Sequence, residues 1–568
     1  MWSRFQHTGV FVFGIFCHLH GKLGAEINSL ISKTELIDMN NIIQKLKQQA
    51  DFIDLPQNHL ANLLQDPDRF SKYSLKMPGF FYDFSRQRID ESTLELLFHL
   101  ARDKKVVDRF KAMVGGEKIN LSENRAALHT ATRDFSGKSI HVDGNDVMPQ
   151  IRKVREHIKL FSERMHAQKL VGTTGKTLKD VVVVGIGGSY LGTECVADAL
   201  LANTKSNINL YFLTNVDPSD FGRVIGHIDP EKTLWIIISK SYTTRETLAN
   251  ENLVRGFLKQ NGMDPSLHLA TVTSMGSPGD NPDNPVLACF HMFDFVGGRF
   301  SVSSAVGGVP LSLYLGFDVF ERFLQGANTM DQHAANSPVS ENIPLIAALS
   351  TFWNKDFLGY PAMGIIPYAT PLRRLPAHIQ QLHMESNGKS VNIHGEPLDK
   401  PAGTIIIGEP GTNAQHSFFQ MAHQGPAFPI EFIGVIQNPY AHLDASYEGV
   451  TNHQELWANL VSQSKSLAEG KANTDKTRFF EGNRPSSTII LNNLSPESVG
   501  MLISYYEAKT VFEAFLWDIN PFDQFGVQLG KTIAKTVREK MLARNRGQAD
   551  MPDPDPIVKA YLDMLGEF

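Results

Sequence analysis

The strongest constraint on the fold is a run of four valines, Val181 to Val184, that leads directly into a glycine-rich turn. A continuous β-branched run of this kind is typical of a strand buried on both faces of a sheet. Glycines at positions 185, 187 and 188 end the strand, and a helical pattern follows from Leu191 to Leu201. This order of strand, turn and helix predicts a parallel sheet with crossover helices.

Similar strand-like runs recur along the chain and alternate with helical segments. In a first block they are Ile208–Leu213, Leu234–Ile238 and Leu267–Val272. A second block starts near Ile343, and its candidates are the strands Gly364–Pro367, Thr404–Gly408, Ile430–Val435 and Thr488–Leu491 and the helices Gln415–His423 and Ser495–Leu516. We therefore expect two parallel-sheet α/β domains in series.

The chain of 568 residues is too long for a single core. Apolar residues at helical spacing predict a mainly helical N-terminal region, and a short helix at Ile557–Leu565 is expected to close the chain. Residues Glu469–Ser487 are polar and irregular, which indicates a surface insertion. The expected divisions are an N-terminal extension of uncertain nature (1–38), the helical region (39–170), the two α/β domains (171–335 and 336–545) and a C-terminal tail (546–568).

Charge and cysteine content exclude several classes of protein. The formal net charge of -6 gives no reason to expect nucleic acid or an anionic membrane as a partner, so an anionic ligand must be held by local donors. Cys17, Cys195 and Cys289 are odd in number and widely spaced, and they form neither a disulfide framework nor a zinc pattern. A reducing compartment fits this usage best.

The N-terminus carries a strongly apolar segment, 9–17, after Arg4. The segment is too short to span a bilayer, and no other stretch is long and apolar enough for a transmembrane helix. It could be the core of a signal peptide, a buried segment, or the product of an upstream start with Met39 as the natural start. We favour the last two and expect a cytoplasmic protein, because nothing else in the chain suggests export.

Two predicted strand ends carry groups suited to an anion. The turn Gly185–Ser189 lets the backbone approach a phosphate at a helix N-terminus, although it could equally be a tight turn. Tyr190 stands where the dinucleotide fingerprint needs a third glycine, so that motif is absent. The second strand end carries four hydroxyls, where a helix cap needs only one, and this favours phosphate binding; its residues are Ser239, Lys240, Ser241, Thr243 and Thr244.

Three further segments carry candidate catalytic side chains. Arg299 follows a glycine pair and could stabilise an oxyanion, or lie in a surface turn. His416 falls in the first turn of a predicted helix, where it could be a base, a cap or a core residue. Gln524 and Lys531 lie two turns apart on another predicted helix, and Lys531 alone would be a solvated lysine.

A single acid, Glu385, stands before Ser386-Asn387-Gly388 and after Gln381. Ser, Asn and Gly favour turns, so Glu385 is expected where an element ends, a common place for a site. Taken alone, it could be a solvated acid in an exposed turn.

A basic group lies further upstream. Arg125, His129 and Arg133 are four residues apart and would share one helix face, by default a solvated one.

Together these segments resemble the phosphoglucose isomerase (glucose-6-phosphate isomerase) family, whose two domains have the sugar-isomerase (SIS) fold. The resemblance runs from Phe81 to Lys535 and is carried by Glu-Ser-Asn-Gly-Lys at 385–389, Gly-Thr-Asn-x-Gln-His at 411–416 and Phe-Asp-Gln-x-Gly-Val-x-Leu-Gly-Lys at 522–531. It implies reversible conversion of glucose 6-phosphate to fructose 6-phosphate, a step of glycolysis, by a homodimer that needs neither metal nor nucleotide cofactor.

The resemblance also implies a role for each matching residue. Glu385 would move a proton between C1 and C2, and Arg299 would hold the charge of a cis-enediolate. His416, reaching in from the partner subunit, would assist ring opening, and Lys531 would assist the ring oxygen. The phosphate would be bound by Ser189, Ser239, Ser241 and Thr244, and the sugar site would be lined by Gly188, Lys240, Gln381 and Gln524.

The chain departs from the usual family strings at several positions that carry none of these roles. They include Leu382 and His383 before the acid, Ser303 after the arginine, Gln528 and Ala508. Two other functions stay open on the residues alone. One is a sugar-phosphate-binding regulator without catalysis, and the other is a nicotinamide-dependent dehydrogenase, which Tyr190 argues against.

Overall fold

The structure is a computed structural model that describes residues 41–203, 207–548 and 555–566. The described residues form two compact units, one ending at Pro521 and the other beginning at Phe522. The predictions for residues 1–38, including the apolar segment 9–17 and the start at Met39, lie outside the described residues. The division into domains stays a prediction, and the second unit begins inside its range 336–545.

The N-terminal part is mainly helical, as predicted. Its helices are α1 (41–53), α2 (Leu60–Leu63), α3 (Arg69–Lys72), α4 (Glu91–Asp103), α5 (Val106–Val114) and α6 (Met148–His166). It also contains two hairpins that the sequence did not predict, β1 (Ser74–Met77) with β2 (Phe80–Asp83), and β3 (His141–Val142) with β4 (Asn145–Asp146).

The first sheet contains five parallel strands, which are β5 (Asp180–Val184), β6 (Asn209–Leu213), β7 (Thr233–Ile238), β8 (Leu269–Ser274) and β9 (Ala288–Met292). Their order in the sheet is β6-β5-β7-β8-β9. They are joined by α7 (Leu191–Ala199), α8 (Pro218–Ile225), α9 (Arg245–Gln260) and α10 (Pro265–His268). The valine run lies in the buried strand β5, with Val181 and Val183 in one core and Val182 and Val184 in the other. The predicted double burial is therefore confirmed.

The elements after the first sheet are α11 (Ala305–Leu315), α12 (Phe317–Asn336), α13 (Ile343–Asp356), β10 (Ala362–Pro367), α14 (Leu375–Asn387), β11 (Ile405–Ile407), α15 (Gly411–Gln415), α16 (Phe419–Gln424), β12 (Ile430–Val435), β13 (Ser446–Tyr447), β14 (Val450–Thr451), α17 (Asn452–Glu469), β15 (Ser486–Leu491) and α18 (Pro496–Leu516). The second sheet is mixed and has the order β1-β2-β15-β12-β10-β11. Its four predicted strands are parallel, and the N-terminal hairpin joins them through an antiparallel pairing of β2 with β15.

Helix α18 is buried along almost its whole length and packs closely on α12. A Cβ on Gly326 would lie 2.0 Å from the carbonyl oxygen of Glu497, and one on Gly500 would lie 2.1 Å from that of Phe323. The two glycines therefore let the helix backbones touch. None of the helices in the described residues is both long and apolar enough to cross a membrane.

The second unit consists of α19 (Phe525–Asn545) and, among its described residues, α20 (Pro556–Gly566). The helix predicted at Ile557–Leu565 is thus confirmed.

Candidate active site

Glu385 lies in the last turn of α14, which ends at Asn387. The prediction that an element ends here is confirmed, but Ser386 and Asn387 are helical and do not form a turn. Both side chains are buried and bonded to other segments, since Ser386 accepts from Arg299 and Asn387 donates to the carbonyl of Thr510. Because these two side chains bond to distant segments, they do not form the hydrogen bonds to the nearby backbone by which serine and asparagine favour turns.

Arg299 is the cation that the fold places beside this acid. It lies in the short 3₁₀ turn Gly298–Phe300 and is only 4% exposed, so a surface turn is excluded. Its Nη1 lies 3.4 Å from Oε2 of Glu385, its Nε donates to Oγ of Ser386 at 2.6 Å, and its Nη2 donates to the carbonyl of Pro521. The guanidinium is therefore fixed on several sides, and the side chain of Glu385 keeps 29% of its surface exposed.

The turn after β5 closes against the backbone that carries Arg299. A Cβ on Gly188 would lie 2.3 Å from the carbonyl carbon of Gly298, so no larger residue fits there, and Ser301 Oγ donates to the carbonyl of Gly188 at 3.2 Å. Gly187 has a φ of +58°, and a Cβ on it would lie 3.0 Å from Nε2 of Gln381. Because Gln381 is one turn before the acid on α14, the structure brings the glycine turn, the glutamine, the acid and the arginine together.

The hydroxyl-rich segment lies between β7 and α9, as predicted. Ser241 and Thr243 are hydrogen-bonded at 2.6 Å, and Ser239 Oγ donates to Thr244 at 3.5 Å. Thr244 is the N-cap residue of α9, but its side chain forms no cap bond. The first-turn N–H groups of this helix are therefore not covered by that hydroxyl, which suits the binding of an anion.

The two loops follow neighbouring parallel strands. Since β5 pairs with β7, Ser189 and Ser239 come from the same carboxyl edge of the sheet, where ligands bind in α/β folds. Lys240 donates from Nζ to the carbonyls of Asp294 at 2.9 Å and Val296 at 3.1 Å. Burial lowers the pKa of this lysine, and its amine holds the loop that leads to Arg299.

His416 lies at the C-terminal end of a five-residue helix, so its prediction as a first-turn histidine was wrong. Helix α15 ends at Gln415, and α16 begins only at Phe419, so the helix predicted at 415–423 is also split. The short helix is fixed by Tyr368, which accepts from Gln415 Nε2 at 2.9 Å and whose ring would lie 2.5 Å from a Cβ on Gly411. His416 is exposed, and within the described part of the chain no hydrogen bond or ion pair joins it to the acid or the arginine.

Gln524 and Lys531 belong to the second unit. Gln524 is the N-cap residue of α19 and Lys531 is exposed two turns later, so the predicted helix start is confirmed within that unit.

The basic group upstream is not a solvated helix face, so that prediction was wrong. Arg133 and His129 are buried at a 3₁₀ turn, and only Arg125 is exposed. Arg133 lies 2.6 Å from Asp331 of α12 and 2.5 Å from Glu507 of α18. Burial raises the pKa of Glu507 to about 7, against the opposing effect of the arginine. The compensating acids come from distant helices, which local spacing cannot predict.

His383, two residues before the acid in sequence, faces away from it. Its Nε2 accepts the N–H of Thr404 at 3.0 Å, so the proton is assigned to Nδ1, which lies 2.9 Å from Glu513 of α18. Burial raises the pKa of Glu513, but Lys509 at 3.3 Å and His383 outweigh this effect and hold it at about 2. His383, Lys509 and Glu513 thus form a buried clamp that holds α14 on the side facing away from Glu385. The sequence did not predict it.

Comparison with known proteins decides the family. A family model described as phosphoglucose isomerase matches residues 83–553. The chain belongs to the phosphoglucose isomerase family. Its sequence is 56% identical over 527 residues to a glucose-6-phosphate isomerase of Desulfosudis oleivorans, with 92% of this chain and 96% of that protein covered.

Two other members of the phosphoglucose isomerase family are similar over nearly their whole length. The cytosolic glucose-6-phosphate isomerase of Arabidopsis thaliana is 39% identical over 568 residues, covering 95% of this chain and 100% of that protein. The crystal structure of a glucose-6-phosphate isomerase from Chlamydia trachomatis superposes with a TM-score of 0.84 at 36% identity, covering 92% of this chain and 98% of that one. The predicted sugar-isomerase fold class is thereby confirmed.

Proposed function

We propose that the chain is an aldose–ketose isomerase that interconverts glucose 6-phosphate and fructose 6-phosphate. The observation that carries this function is the buried guanidinium of Arg299, 3.4 Å from the partly exposed carboxylate of Glu385. An isomerase of this class needs one base for a carbon-bound proton and one cation for the oxyanion that forms. Membership of the phosphoglucose isomerase family and the names of its relatives support the choice of substrates.

The proton transfer uses these two side chains. In the open-chain aldose, the hydrogen on C2 is acidified by the C1 carbonyl, and Glu385 removes it as a proton. The electron pair forms a cis-enediolate, whose negative charge is stabilised by Arg299. The carboxylic acid then returns the proton to C1, and a proton moves between the oxygens to leave the ketose. The carboxylate is regenerated, and the proposed reaction requires neither a metal nor a nucleotide.

The phosphate is bound at the carboxyl edge of the first sheet by Ser189, Ser239, Ser241 and Thr244. The uncapped start of α9 and the closeness of the two loops support this assignment. Gly188, Lys240, Gln381 and Gln524 line the sugar site. The phosphate lies away from the reacting carbons, and its binding energy orients the open chain for proton transfer.

Ring opening is assigned to His416 and Lys531, on the strength of their motifs. His416 is exposed on the single chain, which supports a role across the interface of a homodimer. The Arabidopsis relative is described as cytosolic, and this supports the cytoplasm as the location of the chain. The proposed partners are the sugar phosphate and a second copy, without nucleic acid or membrane.

The decisive experiment replaces Glu385 with glutamine and measures fructose 6-phosphate conversion in a coupled assay that contains a chelator. Glutamine cannot accept the proton, so kcat should fall by at least about 10³-fold. Binding of glucose 6-phosphate, measured by calorimetry, should stay unchanged. The matched control is Glu95→Gln, at an exposed position of α4, which should keep full activity.

Substantial turnover by Glu385→Gln would overturn the assignment of the base. A wild-type chain that binds the sugar phosphate without converting it would instead be the non-catalytic regulator. Activity that the chelator abolishes would contradict the metal-free reaction.

A further inference from the structure

A thiol, an imidazole and a carboxylate meet at the edge strand of the first sheet. Cys289 and His291 are two residues apart on β9, so their side chains leave the same face of the strand, opposite to the buried Phe290 and Met292. Asp280 approaches them from the loop between β8 and β9. One ligand atom of each of the three residues lies within 4.8 Å of the others.

The carboxylate is held in place before any ligand arrives. Oδ2 of Asp280 accepts the N–H of Gly276 at 2.9 Å and lies 3.1 Å from Nε2 of His291. The backbone N–H of Asp280 donates to the carbonyl of Ser277 at 2.9 Å. All three side chains of the cluster are only partly buried, so an ion can reach them from solvent.

The loop that carries the carboxylate is tied to the neighbouring strand β8. Thr271 pairs with Cys289 in the sheet and donates from its side chain to the carbonyl of Gly279 at 2.9 Å. Thr273, two residues on, is bonded to Ser277 at 2.6 Å. Strand and loop are therefore fixed relative to each other, which lowers the entropy lost when a ligand binds.

We propose that Asp280, Cys289 and His291 form a site for a divalent transition-metal ion of the zinc type, with a fourth position left to water. A sulfur, a nitrogen and an oxygen donor suit zinc and its neighbours, whereas calcium and magnesium take oxygen ligands. Tetrahedral coordination by these donors places them about 3.3–3.6 Å apart, so the side chains need to close by about 1 Å. The bound ion would hold the loop that carries Asp280 against the edge strand β9. It would take no part in isomerisation.

These residues do not form a zinc motif in the sequence. Such a motif usually places pairs of ligands at short spacing, and here one ligand comes from a separate loop.

The test uses the full-length chain without an affinity tag, stripped of metal and titrated with Co²⁺ and then Zn²⁺. We expect one bound ion per chain, with the thiolate-to-cobalt charge-transfer absorption that reports a cysteine ligand. Cys289→Ser should abolish this absorption and weaken zinc binding at least about tenfold, and His291→Gln should weaken it similarly. The matched control is Cys195→Ala in helix α7, which removes a buried thiol outside the cluster. This variant should keep both the cobalt absorption and the zinc affinity of the wild type.

Isomerase turnover shows that each variant is folded, because none of these residues belongs to the catalytic site. A Cys289→Ser chain that stays active and loses only metal binding supports the site. Absence of the cobalt absorption in the wild type would overturn it, as would equal zinc affinity in the wild type and both ligand variants. Saturating zinc should also raise the unfolding temperature of the wild type and of Cys195→Ala, but not that of Cys289→Ser.

Discussion

At the scale of single residues, Arg299 combines two duties. Its Nε and Nη2 hold Ser386 and the backbone at Pro521, which leaves Nη1 facing Glu385. One planar fork thus fixes the end of the helix, and in the proposed mechanism it also supplies the charge for the enediolate. A lysine amine is a compact charge at the end of a flexible side chain. It cannot donate to Ser386 and to the Pro521 carbonyl and face Glu385 at the same time, as the planar guanidinium does.

Replacing Arg299 with lysine should therefore lower kcat/KM by about 10²–10³-fold, although the charge is kept. The loss should fall mainly on kcat, since the phosphate contacts lie on other loops. Arg374→Lys is the matched control, because Arg374 precedes the same helix and pairs with Glu194. Steady-state kinetics should show about wild-type values for this control. Wild-type kcat in Arg299→Lys would contradict the double role.

At the scale of elements, helix α14 carries two different faces. Gln381 and Glu385, four apart, lie toward the glycine turn and Arg299, whereas His383 and Asn387, also four apart, bond to Glu513 of α18. A buried polar cluster thus holds one face of the helix, while the opposite face carries the side chains of the proposed active site. Buried polar groups of this kind are costly to leave without partners.

His383→Ala should cost roughly 2–4 kcal/mol of unfolding free energy, because Glu513 loses a partner and packing is also lost. The matched control is His378→Ala on the same helix. His378 is equally buried, but its two ring nitrogens have no hydrogen-bond partner within the described part of the chain. Urea unfolding at neutral pH should show a smaller loss for His378→Ala, and kcat should fall only in His383→Ala. Equal losses of unfolding free energy in the two variants would mean that the polar contacts of His383 add no stability beyond its packing.

At the scale of the whole molecule, we propose that a second copy of the chain completes the active site. His416 is exposed at the end of α15, and within the described residues no hydrogen bond or ion pair joins it to Glu385. A histidine that assists ring opening must reach the same sugar as the base. A homodimer in which each chain supplies His416 to its partner meets this requirement.

Mixed dimers test the exchange directly. Glu385→Gln and His416→Ala chains, carrying different tags, are co-expressed, and the mixed dimer is isolated by both tags. If the histidine acts across the interface, one of the two sites has both residues intact, and about half of the wild-type activity should return. If it acts within its own chain, both sites lack one residue and the mixed dimer stays as inactive as the two parents. Homodimers of each variant are the controls.

Much of the architecture could be predicted because its signals are local. The valine run marked a strand buried on both faces, and eight of the predicted strands occur within a few residues of their predicted bounds. The pairing of β2 with β15 was missed because it joins segments far apart in sequence. For the same reason, the acids beside Arg133 and the cluster at Asp280, Cys289 and His291 were missed.

The sequence alone determined the family and the residue types of the proposed site, because the motifs around Glu385, His416 and Lys531 are contiguous and specific. Only the tertiary structure decided how the described residues are arranged. It set Arg299 against Glu385, turned His383 away toward Glu513, and placed His416 at the end of a helix and not at its start. The reason is physical: local spacing fixes which residues share a strand or a helix face, whereas the partner of each buried charge depends on how distant elements pack.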